Sequence, residues 1–352
     1  MTKQKILSFL KRFLIFNLFF WGLIGVSIPL MVGGPAEYRY FDSDWDDFNY
    51  VPEYNSSRWN ILYDGHSHTK YSDGHLTPRQ NLLWHIAMGF NAMALTDHNT
   101  FVGVEEIRQL ARTEFNDSIK VLIGVEWTTD RCHLNLIFPP NATIAVCEAI
   151  IPSKSYIFTP TDVEIQQVID STHVLGGIVI VNHYLSTERI TDNHPTRQQY
   201  LQWEVDYIES VNTDEYDGVS YQFCIDNGLG VIATTDMHEP EPVYGWTTLN
   251  AFEFTEEAIF NELKARRTDF IYDPAGSPYD VEHKRNKAYT ISFPLIKFGQ
   301  IFKGIYSSGY FATQLAVFLM YFYGAFILVE VFRFILPKIR NKTKRIKTEK
   351  SQ

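Results

Sequence analysis

Histidines and carboxylates recur in order along the middle of this chain, and most of them directly follow a short apolar run. The first group is Asp64-Gly65-His66-Ser67-His68, which comes after the strand-like run 59–63. Side chains alternate along a strand, so both histidines of a His-x-His pair point to one face. The same residue types follow later runs, which predicts a multinuclear metal site where the ends of barrel strands meet.

The later runs share this pattern of an apolar strand followed by ionisable residues. Runs 91–95, 120–123, 177–181 and 230–234 lead to Asp97-His98, to Glu126, to His183 and to Asp236-Met237-His238, and a further strand-like segment starts at His133. Burying so many ionisable groups together is costly unless something neutralises the carboxylates and uses the imidazole lone pairs. A divalent metal does both. The histidines left out of this prediction, because they lie away from strand ends, are His75, His85, His173, His194 and His283.

The succession His-x-His-Thr-x-x-Ser-Asp-Gly, Thr-Asp-His-Asn, Gly-x-Glu, His, Asn-His and Asp-x-His resembles the PHP family, the polymerase and histidinol phosphatase domain, over residues 59–270. The resemblance implies an α/β fold, a distorted (β/α)7 TIM-like barrel, and hydrolysis of phosphate esters with two or three divalent ions. It implies one metal held by His66, His68, Glu126 and Asp236, which would also be the catalytic residues. It implies a second metal held by Glu126, His133 and His183, and a third held by Asp73, His98 and His238.

The ligand types indicate the chemistry. Carboxylates and neutral imidazoles suit Zn²⁺, Mn²⁺ or Fe²⁺ better than Mg²⁺. Coordination lowers the pKa of water from about 15.7 to near 7, so a hydroxide held between metals would be the nucleophile. We therefore predict a metal-dependent phosphoesterase, either a phosphatase or a phosphodiesterase. Two alternatives stay open, namely a metal-dependent amide hydrolase that uses the same hydroxide and a non-catalytic sensor of metal or phospholigand.

Five residues beside the motifs are candidates for secondary roles. Asp97 is predicted either to orient a ligand histidine or to cap a helix. Glu209 ends another strand-like run and is predicted to line the pocket. The candidates for contacts with a substrate phosphate are Lys70, Arg131 and Tyr184.

Amphipathic segments alternate with the strand-like runs, as a barrel requires. The predicted helices are 78–89, 102–112, 161–173, 219–227 and 256–266. The chain departs from the family pattern at His183-Tyr184, where the family often has His-Pro, and in the polar insertion 185–200 that follows. These departures bear on the identity of the substrate.

Two uncharged runs of twenty residues, 13–32 and 310–329, are each long enough to cross about 30 Å of hydrocarbon. Basic residues precede the first run and follow the second. By the positive-inside rule both termini are predicted to be cytoplasmic, and the domain between them to be periplasmic, extracellular or luminal. A cleaved signal peptide is the alternative for the first run.

These observations divide the chain into seven predicted segments. They are a cytoplasmic N-terminus (1–12), a transmembrane helix (13–32), a juxtamembrane linker (33–58), a PHP-type metallohydrolase domain (59–290), an interfacial segment or soluble packing element (291–309), a second transmembrane helix (310–336) and a basic cytoplasmic tail (337–352). The net charge is −10 although both ends are basic, so the central domain is acidic. This disfavours nucleic acid as a partner and favours a phosphorylated small molecule or a lipid-linked phosphate at the membrane.

Overall fold

The computed structural model describes residues 3–155, 158–191, 193–279, 284–307 and 311–349, and it describes only the backbone at 306–307, 311 and 338–349. The strands in these ranges are β1 (Tyr38–Arg39), β2 (Ile61–Asp64), β3 (Ala92–Leu95), β4 (Lys120–Thr128), β5 (His133–Phe138), β6 (Ile178–Val181), β7 (Tyr207–Asn212), β8 (Glu215–Tyr216), β9 (Gly230–Thr234), β10 (Gly245–Leu249), β11 (Asp269–Tyr272) and β12 (Lys284–Arg285). The helices are α1 (Lys3–Gly33), α2 (Pro78–Ala87), α3 (Val102–Glu114), α4 (Ile144–Ala149), α5 (Asp162–Val174), α6 (Tyr184–Ile190), α7 (Arg197–Gln202), α8 (Gly218–Asn227), α9 (Glu256–Lys264), α10 (Lys287–Ser307) and α11 (Phe311–Glu349). The chain divides into a barrel unit, residues 38–284, and a terminal-helix unit, which combines the two ends of the chain.

A nearly closed barrel forms the centre of the barrel unit, as predicted for an α/β fold. Strands β2, β3 and β4 are parallel to one another, and so are β6, β7 and β9. The sheet returns to its start beyond β9, where Met237 pairs with Ser67 and accepts a hydrogen bond of 2.9 Å from the His68 amide. Because strand β5 is antiparallel to both of its neighbours, its first residue lies at the end of the barrel where the neighbouring strands finish.

Local sequence signals explain where several helices begin and end. Thr77 and Thr161 each accept a hydrogen bond from the backbone three residues later and form a capping box with Gln80 and Glu164. Helix α8 ends at Gly228, which has a φ of 69° that glycine adopts without strain. All five predicted helices are present, and most of α6 and of α7 lies in the polar insertion 185–200.

The alternation of side chains along the strands builds two apolar layers. Met93 and Leu95 face the surrounding helices, where they join a cluster with Val104. Ala92 and Ala94 face the interior and belong to a second cluster, which is formed by strand residues inside the barrel and by helix α9. Their small side chains leave room for the larger inward residues of the neighbouring strands.

The predicted linker 33–58 is wrong from residue 38 onward, because this segment packs against the barrel. Tyr40 and Trp45 are buried in a cluster with Trp84, Met88 and Trp246. The acidic residues of this segment suggested an exposed linker, but burial of the aromatic rings determines where the segment lies.

The terminal-helix unit contains two helices that are long and apolar enough to cross a membrane, Lys3–Gly33 and Ala312–Pro337. Helices α1 and α11 run antiparallel, since Phe20 contacts Phe322 while Arg12, nearer the N-terminus, pairs with Glu330. Helix α10 covers most of the predicted interfacial segment and packs on α1, where Gly299 approaches the Ser27 backbone too closely for any side chain. Residues 308–310 of the predicted segments lie outside the described residues, as do residues 1–2 and 350–352.

Candidate metal centre

One end of the barrel gathers all nine predicted ligand side chains. His66, His68 and Asp73 follow β2, His98 follows β3, Glu126 lies near the end of β4, His133 begins β5, His183 follows β6, and Asp236 and His238 follow β9. They form four overlapping groups in which the potential ligand atoms all lie within 4.8 Å of one another. The groups are His68-Asp73-His98-His238, His66-Glu126-His183, His66-His68-Asp236 and His98-Glu126-His133.

Glu126 stands at the centre of this arrangement and is fully buried. His133 Nδ1 lies 2.9 Å from its Oε1, and His98 Nδ1 lies 2.5 Å from its Oε2. The Asn182 amide also donates to Oε1 at 3.0 Å. Oε2 nevertheless has no hydrogen bond of acceptable geometry with any residue that the structure describes. A buried carboxylate oxygen left in this state is the kind of atom that a cation would satisfy.

Asp236 is the second carboxylate inside the cluster. Its Oδ1 lies 3.2 Å from His66 Nε2 and 3.2 Å from His68 Nε2. Within the described residues, the ion-pair partners of Glu126 and Asp236 are all histidines. The cluster therefore contains counter-charge only to the extent that imidazoles take up protons.

The pKa values of the clustered side chains reflect this shortage of positive charge. Burial alone would raise the pKa of Glu126, but the His98, His133 and His66 imidazoles outweigh it and hold that pKa well below its ordinary value. Burial would lower the pKa of His66, but Asp236, Glu209 and Glu126 outweigh it and raise that pKa well above its ordinary value. The cluster thus attracts positive charge. Divalent ions would supply that charge and accept the imidazole lone pairs, so the residues fit a metal centre.

The outer edge of the centre is formed by Asp73, His98 and His238. The Asp73 carboxylate lies 3.2 Å from His238 Nε2 and 3.4 Å from His98 Nε2. Burial would lower the pKa of His238, but the hydrogen bond to Asp73 and the charge of Asp236 raise it to about 9. Gly74 holds this turn against the His68 backbone, since a Cβ at Gly74 would stand 2.6 Å from the His68 carbonyl carbon.

Glu209 supports two of the ligands from behind. Its Oε1 lies 2.8 Å from His66 Nδ1, and its Oε2 accepts a hydrogen bond of 2.5 Å from the His183 amide. Thr234 donates to the same carboxylate at 2.7 Å. Glu209 was predicted to line the pocket, and its contacts instead orient His66 so that Nε2 faces Glu126 and Asp236.

Three residues at the centre have positive φ angles, which residues other than glycine rarely adopt. The φ angles are 52° at Asn99, 26° at His183 and 51° at Asp236. Such strain costs about 1–3 kcal/mol per residue and persists where surrounding contacts impose it. Asn99, for example, exchanges two side-chain hydrogen bonds, of 2.8 and 2.9 Å, with the backbone of Thr128.

Several supporting residues were not predicted from the sequence. Asp64 accepts hydrogen bonds from Thr235 Oγ1 at 2.5 Å and from the Thr235 and His66 amides at 3.0 and 3.2 Å, and His85 Nε2 lies 3.0 Å from its Oδ2. Thr187 Oγ1 lies 2.7 Å from His183 Nδ1. His85 lies on a helix and far from any motif, so no local signal distinguishes it. Asn182 could have been identified, because it directly precedes a predicted ligand.

The two roles predicted for Asp97 are both wrong. Its carboxylate accepts hydrogen bonds of 2.6 Å from Thr69 Oγ1 and from Ser72 Oγ, rather than from an imidazole. The next helix, α3, has Phe101 at its N-cap. Asp97 instead fixes the loop after β2, because two hydroxyls of that loop reach it first.

The candidates for phosphate contacts differ in how many contacts their side chains already make within the protein. Arg131 donates to Pro160 O at 2.6 Å, Asp162 Oδ1 at 2.8 Å and Asn193 O at 3.1 Å, so a substrate phosphate would have to compete with these acceptors, and the phosphate contact stays a prediction. Lys70 is exposed, with Nζ 5.5 Å from the Tyr71 ring, and it stays a candidate.

Tyr184 is the third of these candidates, and the insertion encloses it. Its side chain is buried, and its ring lies 3.7 Å from the Arg197 guanidinium. Its hydroxyl donates to Glu188 at 3.3 Å. Packing within the insertion thus engages both the ring and the hydroxyl of Tyr184, and its contact with a substrate phosphate stays a prediction.

Comparison with known proteins supports the assignment of this region. Residues 64–211 match the family model described as the PHP domain. A curated relative from Haemophilus influenzae, a 5'-3' exoribonuclease, is 28% identical over 171 residues, which are 47% of this chain and 57% of that protein. The chain therefore matches little more than half the length of that relative.

Two solved structures resemble the chain at low sequence identity. A two-domain protein from Bacteroides vulgatus, described as containing a predicted PHP-like metal-dependent phosphoesterase, has 21% identity and a TM-score of 0.49, covering 64% of this chain and 68% of that one. An amidohydrolase from Chromobacterium violaceum, solved with bound sulfate and no metal, has 15% identity and a TM-score of 0.40, covering 60% of this chain and 97% of that one.

Proposed function

We propose that this chain, whose residues 64–211 form a PHP domain, is a metal-dependent phosphoesterase. The single observation that carries the proposal is the convergence of nine ligand-type side chains at one end of the barrel. Among the described residues, the ion-pair partners of Glu126 and Asp236 in this cluster are all imidazoles. Such a site is incomplete without cations, and its residue types suit Zn²⁺, Mn²⁺ or Fe²⁺.

The chain's own residues define how the ions would be held. We assign one ion to His66, His68, Glu126 and Asp236, a second to Glu126, His133 and His183, and a third to Asp73, His98 and His238. When bound, divalent ions lower the pKa of water to about 7 and neutralise charge on phosphate oxygens. Glu209 orients His66, and Thr187 contacts His183 Nδ1, which leaves Nε2 of both histidines toward Glu126. These supports fix the ligands before substrate arrives.

Two substrate classes merit separate tests. The acidic composition and the apolar terminal helices favour a phosphorylated small molecule or a lipid-linked phosphate. The relative named 5'-3' exoribonuclease favours a second candidate, release of nucleotides from RNA. The negative charge of the chain opposes RNA, since most nucleic-acid affinity comes from contacts of basic residues with phosphate.

We also propose that α1 and α11 tether the domain to a membrane, with both termini cytoplasmic and the domain on the opposite side. Arg12 Nε donates to Glu330 Oε1 at 2.7 Å, and Tyr323 donates to Asn17 at 2.7 Å. These contacts between antiparallel helices support both basic ends lying on one face of the membrane. They also favour a retained first helix over a cleaved signal peptide. External protease that removes the C-terminal tail from intact cells would contradict this topology, and loss of residues 1–33 from the mature chain would contradict retention.

The experiment that tests the function uses the full chain purified in detergent and analysed for bound metal. Phosphomonoesters, phosphodiesters and a 5'-phosphorylated RNA would be assayed, and we expect turnover of at least one that Asp236→Asn abolishes without unfolding. Turnover of acylated substrates alone would indicate an amide hydrolase. Phosphoester binding without turnover by the metal-loaded protein would indicate a sensor. Full phosphoesterase activity in Asp236→Asn would contradict the assigned site.

A further inference from the structure

His194 lies in the polar insertion that follows β6, and it was left out of the predicted ligand set. Both of its ring nitrogens are enclosed by the protein and have no hydrogen-bond partner among the residues that the structure describes. Buried polar atoms are nearly always paired, so an imidazole in this state can serve a group that enters the site. The insertion therefore contains a hydrogen-bonding group that the proposed metal centre does not use.

Aromatic contacts hold the ring of His194. Its centroid lies 4.8 Å from that of Tyr184 and 5.8 Å from that of Tyr200, and both pairs meet edge to face. The next residue, Pro195, is buried and restricts the backbone of His194 to extended conformations. The side chain has more freedom than the backbone, because turning the ring breaks no hydrogen bond with any described residue.

Two attachments keep His194 beside the histidines assigned to the second ion. Tyr184, which contacts the His194 ring, directly follows His183 in the sequence. The ring of His183 lies 4.9 Å from that of His133. Arg131, two residues before His133, donates at 3.1 Å to the backbone carbonyl that precedes His194. The His194 ring is therefore tied to both ligands through their neighbours in the sequence.

The electrostatic surroundings of His194 agree with this position. Its pKa is lowered to about 4, mainly by burial and then by the positive charges of His133 and His183. Arg197 and Arg131 act in the same direction, although each also pairs with a carboxylate. Positive surroundings of this kind favour an anion as the group that enters.

We propose that His194 is a substrate-contact residue that donates a hydrogen bond to the substrate phosphate beside the second ion, and that Tyr184 and Arg131 position it. The proposal rests on the proposed function, since a phosphate ester held by the ions is the anion that His194 would meet. The insertion then takes a direct part in phosphate binding. A hydrogen bond to a charged group contributes about 10–100-fold in affinity, and we expect His194 to contribute that factor.

The test measures the binding of inorganic phosphate, without turnover. Full-length protein in detergent is loaded with Mn²⁺, freed of excess ion, analysed for bound metal and titrated with inorganic phosphate in a calorimeter. His194→Phe keeps an aromatic ring beside Tyr184 and Tyr200 but removes both nitrogens. We expect its affinity for phosphate to fall by about 10–100-fold while its bound metal is unchanged. If this variant folds poorly, His194→Ala takes its place.

Two further variants separate a phosphate contact from packing. His194→Gln retains a side-chain N–H donor and should recover part of the affinity, which a purely structural role does not predict. Gln198→Ala is the matched control, because it alters an exposed side chain of the same insertion and should bind phosphate like the wild type. Wild-type affinity in His194→Phe would overturn the proposal. Loss of bound metal from that variant would also overturn it, because His194 would then support the metal centre.

These results are separable from those of the activity assay. A phosphate affinity that depends on His194, in a protein without hydrolysis, would support the contact and contradict the proposed function. Hydrolysis together with a phosphate affinity that does not depend on His194 would do the reverse. A metal-loaded protein that neither binds phosphate nor hydrolyses a phosphoester would contradict both.

Discussion

The two ends of the barrel both bury carboxylates, but they neutralise them in different ways. At the end opposite the ligand cluster, Asp206 accepts hydrogen bonds from the Val179 amide at 2.9 Å and from Arg266 at 2.9 Å, and it lies 2.9 Å from His173 Nε2. At the other end, the ion-pair partners of Glu126 and Asp236 are all imidazoles among the described residues, and the further hydrogen bond to Glu126 comes from the neutral Asn182 amide.

This difference separates stability from function within one fold. The contacts of Asp206 form a complete network, because a guanidinium cation and a backbone donor offset the cost of burying its charge. Within the described part of the chain, neither a guanidinium nor a backbone amide contacts the carboxylates of Glu126 and Asp236, and the ligand cluster carries strained backbone at three positions. Barrel enzymes keep their chemistry at the end where the parallel strands finish, and the opposite end serves stability. Substitutions at the two ends should therefore have effects of different kinds.

The largest expected effect is that of Glu126→Gln. The amide keeps the shape of the side chain but removes the charge shared by several imidazoles, so the inner ions should be lost. We expect kcat/KM for a phosphoester to fall by more than about 10³-fold, beyond the 10–100-fold typical of outer-shell residues. Glu239→Gln, which alters a half-exposed carboxylate that pairs with His75, serves as the control, and a Glu126→Gln protein that retains its metal would contradict the assignment.

At the opposite end, Asp206→Ala should reduce stability and leave the chemistry intact. Removing one partner from a buried ion pair costs about 3–5 kcal/mol, and since His173 and Arg266 are partly exposed we expect about 2–4 kcal/mol. Urea unfolding measures this loss, with Asp170→Ala, an exposed carboxylate on α5, as the control. A loss of kcat in the folded fraction would contradict the division between the two ends.

A smaller effect is expected for Glu209→Gln, which tests the support behind the inner ligands. The amide weakens the contact with His66 Nδ1 and with the His183 amide, so metal affinity should fall by about 10–100-fold. Metal titration of the chelated protein measures this change. Glu215→Gln alters a carboxylate that pairs with Arg189 at the surface and should leave the affinity unchanged. An unchanged affinity in Glu209→Gln would assign Glu209 to packing alone.

The smallest effect concerns acid stability at the Asp206 end. Burial would raise the pKa of Asp206, but the hydrogen bonds from His173, the Val179 amide and Arg266 lower it below the ordinary value of 3.8. A lowered folded pKa stabilises the protein above the unfolded value, and this stabilisation is lost as the pH falls through the folded one. The difference in unfolding free energy between wild type and Asp206→Asn should therefore be constant at neutral pH and shrink below about pH 4. Urea unfolding at pH 7 and pH 3 measures it, and a difference that grows in acid would contradict this explanation.

The ligand positions were accessible from the sequence because metal coordination admits few residue types. His66, Glu126 and Asp236 each follow or end a strand, and the strand alternation fixes the face on which they lie. Helix starts such as Thr77 were also accessible, since the cap and its partner are three residues apart. That these residues bind metal stays a prediction.

The supporting contacts were less accessible, because they join residues that are distant in the sequence. Glu209 reaches His66 across 143 positions, and no local pattern encodes that contact. The partners of Asp97 and Arg131 were inaccessible for the same reason, since they come from other loops. The segment 38–58 was taken for a linker because of its acidic residues, although Trp45 is buried.

The hairpin of β4 and β5 has a consequence for how the chain can vary in length. Glu126 pairs with Asn135 and Thr128 pairs with His133, so all four side chains share the inner face. A one-residue insertion or deletion between β4 and β5 that shifted this register would turn His133 away from Glu126. A one-residue change in the length of turn 129–132 that shifts this register would therefore remove His133 from the cluster, whereas substitutions within the turn leave the register unchanged.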